Sequence, residues 1–354
     1  MFKLVFNKIK MRWEFIKEME WKKYGKPVLA SGKPGEWDDY SCITPSIFQQ
    51  GQESFFMFYT GQSFRSGDWG IGIAESKDLF LWEKRCKKSI LNGLDNKISS
   101  RIDGISIIEN QNFYVFFEAK YGSTDVLFNM KSLVPYKIKK YLVRLKRSIK
   151  NMIESSMAVT HAENRKICYV ISESFFPLYI GSAKVALEKN KDGWDSRGVF
   201  SPRVFKFENI FYLLYGGSNG KCVNTGLAFS EDLLSWEKVK QNPILKHGAK
   251  GEWDQNHALM VDIIKIDDGY LGFFEGEDRH NNYSIGLAFS RDLVNWEKSE
   301  NNPILRPGKN KSFDEKMVCS PHVIARNDKI YLFYSGHNYF MQGACGLAIG
   351  ERKA

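Results

Sequence analysis

This chain has little with which to bind a metal or cross a bilayer. Its six cysteines (Cys42, Cys86, Cys168, Cys222, Cys319 and Cys345) form no C-x-x-C pair and match no Cys/His ligand spacing. That leaves a zinc site or a disulfide framework without support and reads as reduced thiols. No apolar run approaches a membrane span, and Met1 to Met11 carries lysines without the apolar stretch of a signal peptide. The expected compartment is therefore the cytoplasm. An acidic excess is lacking too, since 51 Lys+Arg against 41 Asp+Glu give +10. Such a balance suits an acidic partner, an anionic membrane surface or plain solubility. Nucleic acid is not an expected partner, because the positive charge is concentrated in one segment instead of being interleaved with aromatics along a groove.

What is present is repetition. Trp296 to Leu305 reads W-E-K-S-E-N-N-P-I-L, Trp236 to Leu245 reads W-E-K-V-K-Q-N-P-I-L, and Trp82 to Leu91 and Trp21 to Leu29 are looser copies. Upstream of three of these lies an alternating strand ending in an Asp-Leu turn, at Ile71 to Leu79, Gly226 to Leu233 and Gly286 to Leu293. Before that come strand pairs of one length: Gly104 to Phe117, Pro202 to Tyr215, Val261 to Phe274 and Pro321 to Tyr334, with Pro45 to Tyr59 one residue longer. Five copies of about four strands predict an all-β, five-bladed β-propeller. The blades are expected at about 30–94, 95–193, 194–247, 248–308 and 309–354, in a single domain spanning 1–354. The last blade lacks its W-x-K strand, and Trp21 to Leu29 is expected to supply it, closing the ring and removing an open edge.

Blade 2 is interrupted at about 129–156. Ile138, Leu142, Leu145, Ile149 and Ile153 recur at helical spacing in a segment rich in Lys and Arg. A helical insertion is predicted, and its basic face over 131–153 suits either an anionic membrane, peripheral to the inner membrane surface, or water beside a helix docked on the propeller. Met1 to Met19 reads as a second segment of this kind.

The W-D...P, G-L-A-x-S-x-D-L and W-x-x-x-x-N-P-I-L segments together resemble the five-bladed β-propeller glycosidases of the arabinanase, invertase and levansucrase type, glycoside hydrolase families 43, 32, 68 and 130 among them. The resemblance covers nearly the whole chain apart from the insertion. It implies an axial site in which one carboxylic acid protonates the leaving oxygen, a second carboxylate acts as nucleophile or activates water, and a third assists. No metal or organic cofactor is required by that chemistry.

Carried onto this chain, the expectation falls on residues that break the repeat. Asp103, next to Arg101, stands where the other copies have Thr44, Ser201, Met260 and Ser320. Glu118 and Glu275 replace the small residues of Y-T-G, Y-G-G and Y-S-G. Blade 1 carries Thr44-Pro45 where the family has Asp-Pro, so Asp39 is the substitute base or nucleophile. Asp103 is then the stabilising carboxylate and Glu275 the acid, with Glu118 second. Both glutamates also fit a structural task, accepting backbone N–H groups between blades. One position past the proline slot the copies carry Ser46, Ile105, Arg203, Asp262 and His322. Arg203, Asp262 and His322, with Arg101, His257 and Arg279, are the expected substrate-binding set. The recurring Asp38, Asp195, Asp254 and Asp314 are read as structural.

The function implied is a glycosidase acting on a carbohydrate. Two alternatives stand beside hydrolysis. One is a non-catalytic glycan-recognition propeller associated with a glycosyltransferase or surface-polysaccharide pathway. The other is a glycoside phosphorylase, if Arg203, His257 and His322 cluster to hold phosphate, although the E-D-P-R stretch associated with family 130 is absent.

Overall fold

The computed structural model describes residues 10–51, 54–90, 98–121, 164–174 and 183–352, with backbone alone for 98–104 and 120–121. The helical insertion predicted near 129–156, with its basic face over 131–153, lies outside the described residues. A short helix, α1 (Trp13–Ile16), precedes β1 (Glu20–Lys23). Four-stranded antiparallel units follow. The first is β2 (Ser41–Gln50), β3 (Ser54–Gln62), β4 (Trp69–Ser76) and β5 (Glu83–Lys84). The second is β6 (Ile98–Asn110), β7 (Asn112–Tyr121), β8 (Arg165–Ser172) and β9 (Lys184–Leu187). The third is β10 (Gly198–Phe207), β11 (Ile210–Ser218), β12 (Val223–Ser230) and β13 (Glu237–Lys238). The fourth is β14 (His257–Ile266), β15 (Gly269–Glu277), β16 (Tyr283–Ser290) and β17 (Glu297–Lys298). The last, β18 (Met317–Arg326), β19 (Lys329–His337) and β20 (Gly343–Glu351), has three strands of its own. Its fourth is β1, paired to β20 from Glu20↔Glu351 to Lys23↔Ala348.

Packing runs from each unit to the next. Ile71 and Ile73 lie against Ile107 and Val115, Phe116 and Tyr169 against Val204 and Leu213, and Leu214 and Leu227 against Ile263 and Phe274. Ile264 and Leu271 meet Val323 and Leu332. The series returns to its start where Phe333 and Leu347 meet Ile47 and Met57. Burying faces on both sides of each sheet leaves no room for strict apolar alternation, and β16 is buried along its whole length.

The recurring aspartate and lysine form one latch in each of four units. Lys84 Nζ reaches Asp38 at 2.6 Å, Lys238 reaches Asp195 at 2.6 Å, and Lys298 reaches Asp254 at 2.5 Å. In the last unit the lysine is Lys23 of β1, 2.6 Å from Asp314. Tyr59 and Tyr334 donate their hydroxyls to Asp38 and Asp314, each at 2.9 Å. These aspartates hold the outermost strand onto the turn that opens each of these four units.

The apolar side chains in the described part of the N-terminal segment pack into the fold. Met11, Trp13, Ile16 and Met19 are buried against Ile266, Leu287 and Phe289, and the Trp13 ring stacks on Phe289 at 5.5 Å. Among the described residues no helix is long and apolar enough to cross a membrane.

Removing one member of a buried ion pair strands the other charge. Lys23→Met should destabilise the fold by roughly 3 kcal/mol. Adding Asp314→Asn should recover part of that loss, because the pair is coupled. Urea unfolding midpoints of the wild type, both single variants and the double variant measure the effect; strictly additive losses would show that the latch is not a pair.

Candidate functional site

The first strand of each unit carries a bulge, about three residues from its start in four units and farther along in β6, and the bulge decides where side chains go. Register breaks occur between Ile43 and Ser46, Asp103 and Ser106, Phe200 and Arg203, Met260 and Asp262, and Cys319 and His322. In three units the bulge holds a left-handed residue followed by proline: Thr44 (φ 51°), Ser201 (φ 49°) and Ser320 (φ 50°). A bulged residue is released from its own ladder. Its N–H turns instead to an acceptor on the preceding unit. Thr44 N donates to Ser335 Oγ at 2.7 Å, Ser201 N to Glu118 Oε2 at 2.9 Å, and Ser320 N to Glu275 Oε2 at 2.5 Å. The third unit has Gly216 at the acceptor position, and Thr225, its partner on β12, takes the N–H of Met260 at 2.8 Å in its place.

Glu118 and Glu275 are therefore members of a series that includes Ser335 and Thr225. Each carries a further partner. Arg165 Nη1 pairs with the other oxygen of Glu118, and His257 Nε2 stands 3.0 Å from Glu275 Oε1, near it but out of line for a hydrogen bond. Both glutamates are buried, and a buried carboxylate needs such partners. Of the two roles expected for them, the geometry displays the structural one. Asp39 is likewise occupied: it accepts N–H groups of Gly35 at 2.9 Å and Phe64 at 2.6 Å, capping the loops that lead into β2 and out of β3.

The register corrects the reading of the second unit by one residue. Ser106 pairs with Phe116 as Arg203 pairs with Leu214 and His322 with Phe333, so Ser106 and not Ile105 occupies the polar position past the bulge. The turn at Gln111 between β6 and β7 is one residue shorter than those at Glu208–Asn209 and Asp267–Asp268, which gap-free counting conceals. Asp103 then corresponds to Ile43, Phe200, Leu259 and Cys319 and stands opposite Glu118. The side chains of Arg101 and Asp103 lie outside the described residues.

The positions past the bulge make a polar tier, and four of the five bond across to a neighbouring unit. Ser106 Oγ accepts the N–H of Val204 at 2.9 Å. Arg203 Nε donates to Asp262 Oδ1 at 2.8 Å. Asp262 Oδ2 accepts the N–H of Val323 at 2.9 Å and lies 3.2 Å from His322 Nδ1. His322 Nε2 lies 3.1 Å from the carbonyl of Ile47. Ser46, beside it in β2, is buried with no hydrogen-bond partner among the described residues. Arg203, Asp262 and His322 are thus brought together across three units. His257 belongs to a separate group with Glu275 and Tyr283, whose ring centroid is 5.5 Å from its own. Arg279 sits on the exposed loop after β15, its Nε 2.8 Å from His280 Nε2. Ser106, Thr225, Ser335 and Arg165 were not singled out from sequence. The hydroxyls of Y-T-G and Y-S-G were the signal available for Ser335.

Burial lowers the His322 pKa to about 4; Asp262 opposes that shift and Arg203 adds to it. The ring is then neutral at pH 7 and offers one N–H to two oxygens, of which the carboxylate makes the stronger, charge-assisted bond. The unfolded chain takes up this proton near the ordinary 6.5 and the folded one only near 4. Stability is hence fully present above about pH 6.5 and is lost as pH falls toward 4. Unfolding midpoints measured across that range should fall for the wild type and fall less steeply for His322→Gln. Separately, Glu275→Ala orphans the Ser320 N–H and should lower stability by about 1–3 kcal/mol, whereas Glu275→Gln, which keeps an acceptor oxygen, should lose less; equal losses would mean that the seam bond contributes nothing.

Residues 181–340, which contain the Arg203, Asp262 and His322 strands, match the family model of glycoside hydrolase family 130, described as beta-1,4-mannooligosaccharide phosphorylase. Two proteins of Thermoanaerobacter sp. (strain X514) are similar. A beta-1,2-mannobiose phosphorylase is 24% identical over 44% of this chain and 68% of its own length. A 1,2-beta-oligomannan phosphorylase is 27% identical over 44% of this chain and 49%, about half, of its own length. Among solved structures, the beta-1,2-mannobiose phosphorylase of Listeria innocua superposes with a TM-score of 0.63 at 14% identity, over 94% of this chain and 96% of that one. A family 130 structure reported with glycoside hydrolases that target beta-1,2 mannosidic linkages in Candida mannan gives 0.63 at 14%, over 97% and 96%. In fold over nearly its whole length, and in sequence over its C-terminal half, this chain is like the β-propeller glycosidase superfamily to which family 130 belongs.

Proposed function

We propose that the chain is a five-bladed β-propeller, closed by its N-terminal strand, that splits β-mannosidic bonds by phosphorolysis. In this reaction a phosphate oxygen attacks the anomeric carbon, the glycosidic C–O bond breaks, and the leaving oxygen takes a proton from a carboxylic acid. The products are mannose 1-phosphate and a shortened oligosaccharide. One observation carries the choice over hydrolysis: Asp39, Glu118 and Glu275 all accept N–H groups of the framework, while Arg203 and His322 converge on the single carboxylate of Asp262. Hydrolysis needs a second carboxylate for water or for covalent attack. Phosphate brings its own nucleophilic oxygen and needs donors instead.

Asp103 is the proposed proton donor, placed in β6 opposite Glu118. Arg203 is the proposed phosphate ligand. Asp262 takes its Nε–H, which leaves the rest of a planar fork suited to phosphate, on a side chain still 19% exposed. His322 orients Asp262 and through it Arg203. Support also comes from the family 130 match and from relatives that are named as mannoside phosphorylases. A glycan-recognition role without turnover is the second reading, favoured by the same engagement of the carboxylates in the framework.

Incubation with β-1,2- and β-1,4-linked mannooligosaccharides, with and without inorganic phosphate, discriminates. Mannose 1-phosphate should form only when phosphate is added. Arg203→Ala should lower kcat/KM by about 10²-fold and Asp103→Asn by about 10³-fold. Free mannose released without phosphate would establish hydrolysis, and binding without any product would establish recognition alone.

A further inference from the structure

The loop between β19 and β20 breaks the pattern of its counterparts. Tyr339 and Phe340 are consecutive and exposed, at 58% and 45%. The equivalent loop after β3 has Phe64 buried against Tyr40, and those after β11 and β15 carry Asn219-Gly220-Lys221 and Arg279-His280. Several other exposed apolar side chains sit in local settings of their own. Leu81 and Leu234 belong to the recurring Asp-Leu turns, Phe15 lies under Arg352 at 4.7 Å, and Tyr24 meets Phe80 at 5.4 Å.

Nor is this loop a slack one. Asn338 Oδ1 accepts the N–H groups of Phe340 at 2.9 Å and Gln342 at 3.1 Å. Met341 N donates to the Asn338 carbonyl at 2.8 Å, and Tyr40, from the first unit, donates its hydroxyl to the Phe340 carbonyl at 2.6 Å. The turn is thus fixed from inside and from the neighbouring unit. Met341 packs with Val261 and Cys319 against the cluster of Phe200, Leu259, Tyr283 and Met317. Val261 directly precedes Asp262, and Cys319 directly precedes Ser320, so the base of this loop abuts the strands that carry the polar tier. Two aromatic rings are held exposed at the end of the molecule where β2, β14 and β18 begin.

We propose that Tyr339 and Phe340 form an outer subsite that stacks on a pyranose ring of a bound mannooligosaccharide, beyond the bond that reacts. The inference rests on the carbohydrate reading above. In a β-mannopyranoside the hydrogens on C1, C3 and C5 share one face, an apolar patch that complements the electron-rich face of an aromatic ring. Rings already held by a capped turn lose little freedom when they bind. This surface adds contacts only for chains long enough to reach it.

Isothermal titration without phosphate, where phosphorolysis does not run, tests the subsite on wild type and on Tyr339→Ala/Phe340→Ala with a β-linked mannobiose and mannotetraose. The tetraose should bind the double variant roughly tenfold more weakly than wild type, with mannobiose affinity unchanged and Tyr339→Phe behaving as wild type. Equal tetraose affinity for wild type and double variant would overturn the subsite and leave the carbohydrate reading intact. A wild type that binds neither sugar and turns over neither when phosphate is added would overturn both.

Discussion

Neighbouring units are joined where a bulged backbone N–H leaves its own ladder and finds an acceptor on the unit before it. A buried amide without a partner costs as much as a lost hydrogen bond, so at four of the five bulges the preceding unit supplies an oxygen. Ser335, Glu118, Thr225 and Glu275 supply it. The residue types differ because each seam leaves different surroundings. Where Arg165 or His257 lies alongside, the oxygen comes from a carboxylate; elsewhere a hydroxyl suffices.

That constraint changes the meaning of the acidic residues. A glutamate in a pattern of glycine, serine and threonine looks like chemistry inserted into a scaffold. Here two of them are the scaffold's own solution to a bulge. The polar tier one step farther along the strands also ties units together, since Ser106 and Asp262 accept the N–H groups of Val204 and Val323 in the units that follow. It differs in that Arg203, Asp262 and His322 form a single charge-assisted chain from the third unit through the fourth and fifth to the carbonyl of Ile47. A shared network of this kind orients an arginine without surrendering all of its donors, which is the property that the proposed phosphate ligand requires.

Repetition made the framework legible in advance. Each W-E-K lysine meets the aspartate of its W-D or F-D pair because the same latch is needed wherever a short outer strand must be held, and the need repeats with the unit. The lysine missing from the last copy was found at the other end of the chain, as Lys23 on Asp314. The site was less legible. The first turn of the second unit is a residue shorter than the others, so Ser106 and not Ile105 stands past its bulge, an offset that equal spacing of the copies hides. In strands a slip of one exchanges the two faces.

The sequence alone determined the strands, their grouping into repeats and the structural character of the recurring aspartates, because periodicity and turn chemistry are local. Only tertiary structure decided which acids face a neighbouring unit and which stand in the tier, and that Arg203, Asp262 and His322 touch. Those outcomes depend on where a bulge points an N–H across a seam between segments 45 to 83 residues apart, and no local pattern encodes the partner at that range.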